Sequence, residues 1–188
     1  MLPQTVNYVG KAYALTSISD SAFARCEDLE AVTIPEVVAS IGKRSFSEFY
    51  ILTSVKMPST VTSIGEEAFY STYQMRTFDI PSSLTLIEDS IFAYSCITSP
   101  LTIPFGVKSI GNGAFYGNFR IPSVDIPSSV ETIGNGAFSE CSALSLVALH
   151  SDLKTIDKNA FCNCYSLIDI TMPSGVTSIG DNTFRGCI

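Results

Sequence analysis

The chain has 188 residues, 46 % hydrophobic and only 15 % charged, and its 11 basic and 18 acidic side chains leave a net charge near −7 and a pI near 4.6. An acidic chain is a poor partner for nucleic acid or an anionic membrane surface, because both recruit cations. No run approaches the roughly 20 apolar residues of a membrane span, so membrane insertion is not expected.

The opening, Met1–Tyr8, shows no basic flank followed by an apolar stretch, so no cleaved secretion signal is visible, and the chain has no Asn-x-Ser/Thr glycosylation acceptor. Beyond it a single period governs the sequence. Phenylalanine recurs at Phe23, Phe46, Phe69, Phe92, Phe115, Phe138, Phe161 and Phe184, always at the same interval from the last. Isoleucine keeps the same step at Ile18, Ile41, Ile64, Ile87, Ile110, Ile133, Ile156 and Ile179. A fixed short period without insertions marks a solenoid that grows by stacking, so length counts coils rather than domains. The expectation is one solenoid over residues 1–188, with about eight 23-residue coils.

Residues 1–17 read as a worn first coil that caps the N-terminal end. Val6 and Val9 fall in apolar columns, but Lys11 stands where later coils carry Ile34, Met57 or Ile80, and Ala12 replaces Pro35. From Leu29 each coil has two parts. The first is Leu29-x-x-Val32-x-Ile34-Pro35, repeated as Leu52-x-x-Val55-x-Met57-Pro58, Met75-x-x-Phe78-x-Ile80-Pro81, Ile121-x-x-Val124-x-Ile126-Pro127 and Leu167-x-x-Ile170-x-Met172-Pro173. Alternating apolar positions predict a short strand, ended by a proline that has no N–H to donate. The second part, such as Val61-Thr-Ser-Ile64-Gly65-Glu-Glu-Ala68-Phe69, predicts a brief strand and then one 3₁₀-like turn. Gly follows the column Ile in five coils, but Ser19, Glu88 and Asp157 take the place elsewhere, so positive φ is not required there.

Some coils depart from the pattern. Thr98 stands where Leu is usual, and Pro100 and Pro122 should weaken strand pairing nearby. The only histidine, His150, occupies a proline position and reads as a solvated turn residue. The sequence stops at Cys187-Ile188 in mid-repeat, which suggests a truncated last coil or a piece of a longer array. Ile179, Phe184 and Ile188 would then lie uncovered, and a homodimer through this C-terminal coil is expected.

Val176-Thr-Ser-Ile179-Gly180-x-x-x-Phe184-x-x-Cys187, with Leu29-x-x-Val32-x-Ile34-Pro35, resembles the BspA-like class of leucine-rich repeats. The resemblance covers nearly the whole chain and is weakest before Leu15. It implies a right-handed leucine-rich-repeat solenoid with short parallel strands on one face, and brief strands and 3₁₀ turns on the other. It also implies a protein of the cell surface, secreted or displayed, that adheres to host or cell-surface proteins. A cytoplasmic location is the alternative, given the missing signal. Such function is carried by analogy, since a fold hosts many functions.

No residue set adds up to an enzyme, and no cofactor is called for. Cys26, Cys141, Cys164 and Cys187 share a column with Phe49, Thr72, Ser95 and Asn118, which points to an inward site that hydrogen-bonds a turn. Neighbouring column cysteines would lie within disulfide reach, but buried free thiols are the favoured reading. Cys162-x-Cys164 lacks the paired spacing of a zinc site. Gly111-Asn-Gly113 and Gly134-Asn-Gly136 lack the Gly-Lys-Ser/Thr of a phosphate loop. Asp79 and Asp125, two coils apart at about 10 Å, exceed the usual spacing of a glycosidase pair on a face without a cleft.

Two surfaces remain as candidates for binding. The strand face offers Ser54, Lys56, Thr77, Asp79, Thr102, Ser123, Asp125, Asp169 and Thr171. An aromatic edge offers Tyr50, Tyr73, Phe119 and Tyr165 in one column and Tyr70 and Tyr116 in another. Tyr suits interfaces because it brings area, stiffness and a polar tip, yet these rings could equally pack over the coil turns. The partner expected is a protein, with a glycan as the other option. A structural unit that stacks into longer arrays is the rival in a different class.

Overall fold

The structure is a computed structural model that describes residues 1–8, 11–26 and 28–187. It begins with a hairpin: β1 (Thr5–Tyr8) pairs antiparallel with β2 (Lys11–Ala14), Thr5 opposite Ala14 and Tyr8 opposite Lys11. The worn coil expected at 1–17 is therefore replaced by a two-stranded ribbon, while Val9 and Ile188 lie outside the described residues. Lys11 and Ala12 stand where later coils carry the Ile-Pro step, and here the two strands pair with each other instead. Leu15 N–H donates to the Gln4 carbonyl at 2.9 Å, and Leu2 N–H reaches the Thr33 carbonyl at 3.3 Å.

The chain then alternates two kinds of short strand. They run in order as β3 (Ser17–Ile18), β4 (Ala31–Thr33), β5 (Ser40–Ile41), β6 (Ser54–Lys56), β7 (Ser63–Ile64) and β8 (Leu86–Ile87). The series continues with β9 (Leu101–Thr102), β10 (Ser109–Ile110), β11 (Ser123–Asp125), β12 (Thr132–Ile133), β13 (Leu146–Ala148), β14 (Thr155–Ile156) and β15 (Ser178–Ile179). Like pairs with like from coil to coil: Ile110 lies beside Ile87 and Ile133, and Val124 beside Leu101 and Val147. All these pairings are parallel, giving sheets β3-β5-β7 and β8-β10-β12-β14-β15 on one side, and β4-β6 and β9-β11-β13 on the other. The molecule is a parallel β-solenoid with no helix among the described residues.

The expected strands at 75–80 and 167–172 do not form. Both strand ladders lapse near the coil of Phe78. Its ring replaces the aliphatic side chain of neighbouring coils and wedges 5.0 Å from Phe69 and 4.5 Å from Phe92. One coil on, Ile97 rather than Thr98 enters the core, 1 % exposed, and the chain regains register at Leu101. Thr98 N–H consequently bonds the Arg76 carbonyl, one position short of the step that joins Thr53 to Glu30. At Pro100 and Pro122 the effect is small, since β9 and β11 both form.

The turn stretch after each Ile has a regular construction. Along one coil, Ala114, Tyr116 and Asn118 donate three residues back within the coil, while Gly113, Phe115 and Gly117 donate to Asn135, Ala137 and Ser139 of the next. Alternate N–H groups thus close single turns and tie coils together, so no continuous 3₁₀ segment forms. The geometry demands positive φ twice per coil, as at Gly113 and Gly117, and coils without glycine there adopt it anyway, as at Ser90 and Tyr94. At Gly134, after the column Ile, the need is close approach: a Cβ would lie 2.8 Å from the Gly111 carbonyl carbon.

Inside, the phenylalanine column is a ladder of parallel rings. Successive centroids from Phe23 to Phe184 stand 5.2–5.7 Å apart with planes within 14°. Rings from Phe46 to Phe161 are fully buried, and the Ile, Val and Leu columns pack around them in one continuous core. The cysteine column lines the same core: Cys141, Cys164 and Cys187 Sγ donate to the carbonyls of Phe115, Phe138 and Phe161 at 3.3, 3.1 and 3.3 Å. Asn118 Nδ2 and Ser95 Oγ do likewise toward Phe92 and Phe69, at 2.6 and 3.0 Å. Burial pushes the Cys141 thiol well above its ordinary range and the Cys164 thiol up to about 12.

Candidate binding surfaces

The strand face is exposed and flat. Ser54 and Lys56 lie on β6, Thr102 on β9, and Ser123 and Asp125 on β11, with Ser123 half-buried and the others exposed. Thr77, Asp79, Asp169 and Thr171 are also exposed but sit on segments that carry no strand, so the nine residues do not make one continuous sheet. Asp125 faces His150 at 3.4 Å, and Leu146, 63 % exposed, stands beside Ser123 in the ladder. No cavity of those described opens among these residues apart from one at Lys56, near the hairpin.

The aromatic edge is built differently. It leaves each coil just after the turn stretch, where the chain swings from one strand column toward the other. Tyr50, Tyr73, Phe119 and Tyr165 are each about half exposed, at 52, 48, 50 and 50 %. Tyr50 and Tyr73, on adjacent coils, stack at 5.8 Å and 11°. Tyr70 and Tyr116 are half-buried, and between them stands Tyr94, which belongs to neither column. Its ring meets Tyr70 edge-on at 5.6 Å and Tyr116 at 5.2 Å. The signal for Tyr94 lies in its neighbours: Ala93 vacates the Tyr70 column, and Gly117 leaves room for the ring. A Cβ on Gly117 would lie 2.9 Å from Tyr94 Cδ1.

Two cavities open along this edge. One, of about 490 Å³, is lined by Tyr70, Tyr94 and Tyr116 together with the amides of Asn112, Asn135 and Asn163. The other, of about 540 Å³, is more apolar, lying between Tyr73, Cys96, Phe119, Ser142 and Tyr165. Tyr94, Tyr116 and Glu140 border both. Burial, then the adjoining Tyr94, raises the Tyr116 phenol above its usual range. Arg120 lies with its guanidinium 5.3 Å from the Phe119 ring centre. Among the described residues no cluster of three or more His, Cys, Asp or Glu is placed to hold a metal, and no helix is long and apolar enough to cross a membrane.

Stacked coils of one repeated length, with a parallel ladder on each side, define the architecture of a leucine-rich-repeat solenoid. The family model for the BspA type leucine rich repeat region matches residues 5–119 and 87–188, in six copies, and the chain belongs to that family. Among solved structures it is similar to a leucine-rich repeat protein from Bacteroides ovatus, at 30 % identity and a TM-score of 0.94, covering 99 % of this chain and 48 % of that one. It thus spans about half the length of that relative. It is also similar to the T. pallidum leucine rich repeat protein, at 25 % identity and a TM-score of 0.78 over 89 % of this chain and 77 % of the other. The pneumococcal vaccine antigen PcpA shares the fold, at 18 % identity and a TM-score of 0.51, over 99 % of this chain and 69 % of that one. None of the curated proteins compared with it matches.

Proposed function

We propose that the chain is a non-enzymatic recognition scaffold, an adhesin-like module at a cell surface, that holds a protein partner along its aromatic edge. The observation that carries this reading is the row of half-exposed rings from Tyr50 to Tyr165 with two cavities opening onto it. Exposed rings in a row lose water on contact and bring little side-chain entropy to be lost, which makes them anchors. The strand face has charges and hydroxyls but little concavity, so it supplies solubility. Surface display is supported by membership of the BspA-type family. The test is an array of extracellular-matrix proteins, cell-surface proteins and glycans probed with the labelled chain. A variant with Ser at Tyr50, Tyr73, Phe119 and Tyr165 should lose at least tenfold in capture, while one with Ala at Lys56, Asp79, Asp125 and Asp169 keeps it. The reverse pattern would move the binding site to the strand face.

A further inference from the structure

The aromatic column has gaps. Read along the solenoid it runs Tyr50, Tyr73, Cys96, Phe119, Ser142, Tyr165, so rings are missing on two coils. Where rings occupy adjacent coils they stack, as Tyr50 and Tyr73 do at 5.8 Å. At Cys96 and Ser142 the stack is interrupted by one ring's thickness, and the apolar cavity lies there, walled by Tyr73, Phe119 and Tyr165. Each gap is a slot with a ring on either side. The two slots are two coils apart, about 10 Å along the axis at the usual strand spacing.

We propose that these slots receive the two proline rings of a Pro-x-x-Pro segment in polyproline II conformation, with a basic residue of the same segment directed at Glu140. The inference rests on the aromatic edge being the binding site and names the class of its ligand. A polyproline II chain has three residues per turn and rises about 3.1 Å per residue, so positions i and i+3 share a face about 9.3 Å apart. An extended strand repeats a face every two residues, at about 6.7 Å or its double, and matches the slots with neither. A helix returns to a face after two turns, at about 10.5 Å, but its carbonyls are already hydrogen-bonded. Polyproline II has no internal hydrogen bonds, so its carbonyls can accept from the hydroxyls of Tyr94 and Tyr116, which border the apolar cavity.

Charge points the same way. Glu140 is the carboxylate shared by both cavities, and Asn163 Nδ2 donates to its Oε1 at 2.6 Å, which leaves Oε2 without a hydrogen-bond partner among the described residues. Arg120 also borders the apolar cavity, its guanidinium 5.3 Å from the Phe119 ring centre, whereas Glu140 borders both cavities and the chain as a whole carries −7. The shared carboxylate and the net charge favour a neutral or basic segment over an acidic one.

The test uses fluorescein-labelled twelve-residue peptides and the full chain, read by fluorescence anisotropy. A peptide with one arginine and prolines three apart should bind saturably, and the same composition with prolines two apart should bind at least tenfold more weakly. Filling the slots, with Cys96→Tyr and Ser142→Tyr together, should abolish binding while the unfolding midpoint stays near the parent's. Tyr73→Ala removes a wall instead and should also weaken binding, which guards against misfolding of the filled variant. Glu140→Gln should weaken the arginine peptide and leave its alanine counterpart unchanged. Equal binding of both proline spacings, or full binding by the filled variant, overturns the proposal. So does displacement of array-captured partners by a neutral sugar oligomer but not by the proline peptide, an outcome under which the edge remains the binding site. If array capture is indifferent to the edge rings, the broader reading falls with it.

Discussion

Truncating Phe138 to Ala removes the middle of the ring ladder. Phe138 is fully buried, with Phe115 at 5.2 Å and Phe161 at 5.4 Å and planes within 7°. Neither neighbour can relax into the hole. Phe115 stacks on Phe92 at 5.4 Å and Phe161 on Phe184 at 5.7 Å, and their backbones are held by Phe115 N–H to Ala137 and Phe161 N–H to Thr183. A buried Phe→Ala change costs about 3–5 kcal/mol in general. Two stacked pairs, each about 0.5–1.5 kcal/mol beyond area, place this one near the upper end. Phe184 is half-buried and has a single ring neighbour, so Phe184→Ala should cost roughly half as much by the same accounting. Urea unfolding followed by circular dichroism gives both values from the midpoints, provided the slopes agree. Hydrogen exchange across residues 134–141 shows whether the loss is local, as stacked coils with nearest-neighbour contacts require. A parental midpoint for Phe138→Ala, or equal losses at the two sites, refutes a shared ring core.

Three further outcomes follow from single positions. Ile97→Ala should cost about 2–5 kcal/mol and Thr98→Ala less than about 0.5, because Ile97 and not Thr98 fills the core slot; equal midpoints for the two would contradict the local shift. Gly117→Ala should cost about 1–2 kcal/mol from its positive φ alone and also displace the Tyr94 ring, read as a change in near-ultraviolet circular dichroism. The Cys164 thiol, raised by burial to about 12 against an ordinary 9.0, titrates later in the folded chain than in the unfolded one. Its contribution is whole below pH 9 and declines as pH rises toward 12, by about 1.4 kcal/mol per unit for one proton. Cys164→Ser should flatten that alkaline fall, and an unchanged pH profile would show that the thiol is not sealed in the core.

The constant repeat step, the two strand columns and the buried rings are legible in the sequence because each rests on a side chain that must face inward once per coil. The one-residue slip is not. Thr98 has the right number but the wrong polarity, and only packing shows that Ile97 turns in to replace it while Leu101 restores the count. Phe78 looks like a conservative member of an aliphatic column, although its ring, tilted at 54° and 58° against Phe69 and Phe92, is where the ladders lapse. Residues 1–17 keep enough apolar spacing to suggest a coil, whereas backbone pairing makes them a hairpin. On the aromatic edge, rings within one column are plain, but Tyr94 belongs to another column and reaches its neighbours by leaning over Gly117.

From the turn stretch forward to the next coil, the bonds keep one offset, from Phe23 to Ser45 and on to Phe161 and Thr183. Any coil therefore offers its successor the same donors and acceptors, whichever residues decorate its outside. A whole coil can be duplicated or lost and the bonds re-form, while one inserted residue in the turn stretch would leave several donors unmatched. The strand side is more tolerant, since it absorbs the slip at Ile97. Distances between surface features are then integers on a graduated rod, each unit about 4.8 Å. Copying or deleting one coil between Cys96 and Ser142 would reset the separation of the two slots by one graduation, without redesign of the core. Genes that grow by repeat exchange can retune such a ruler in single events.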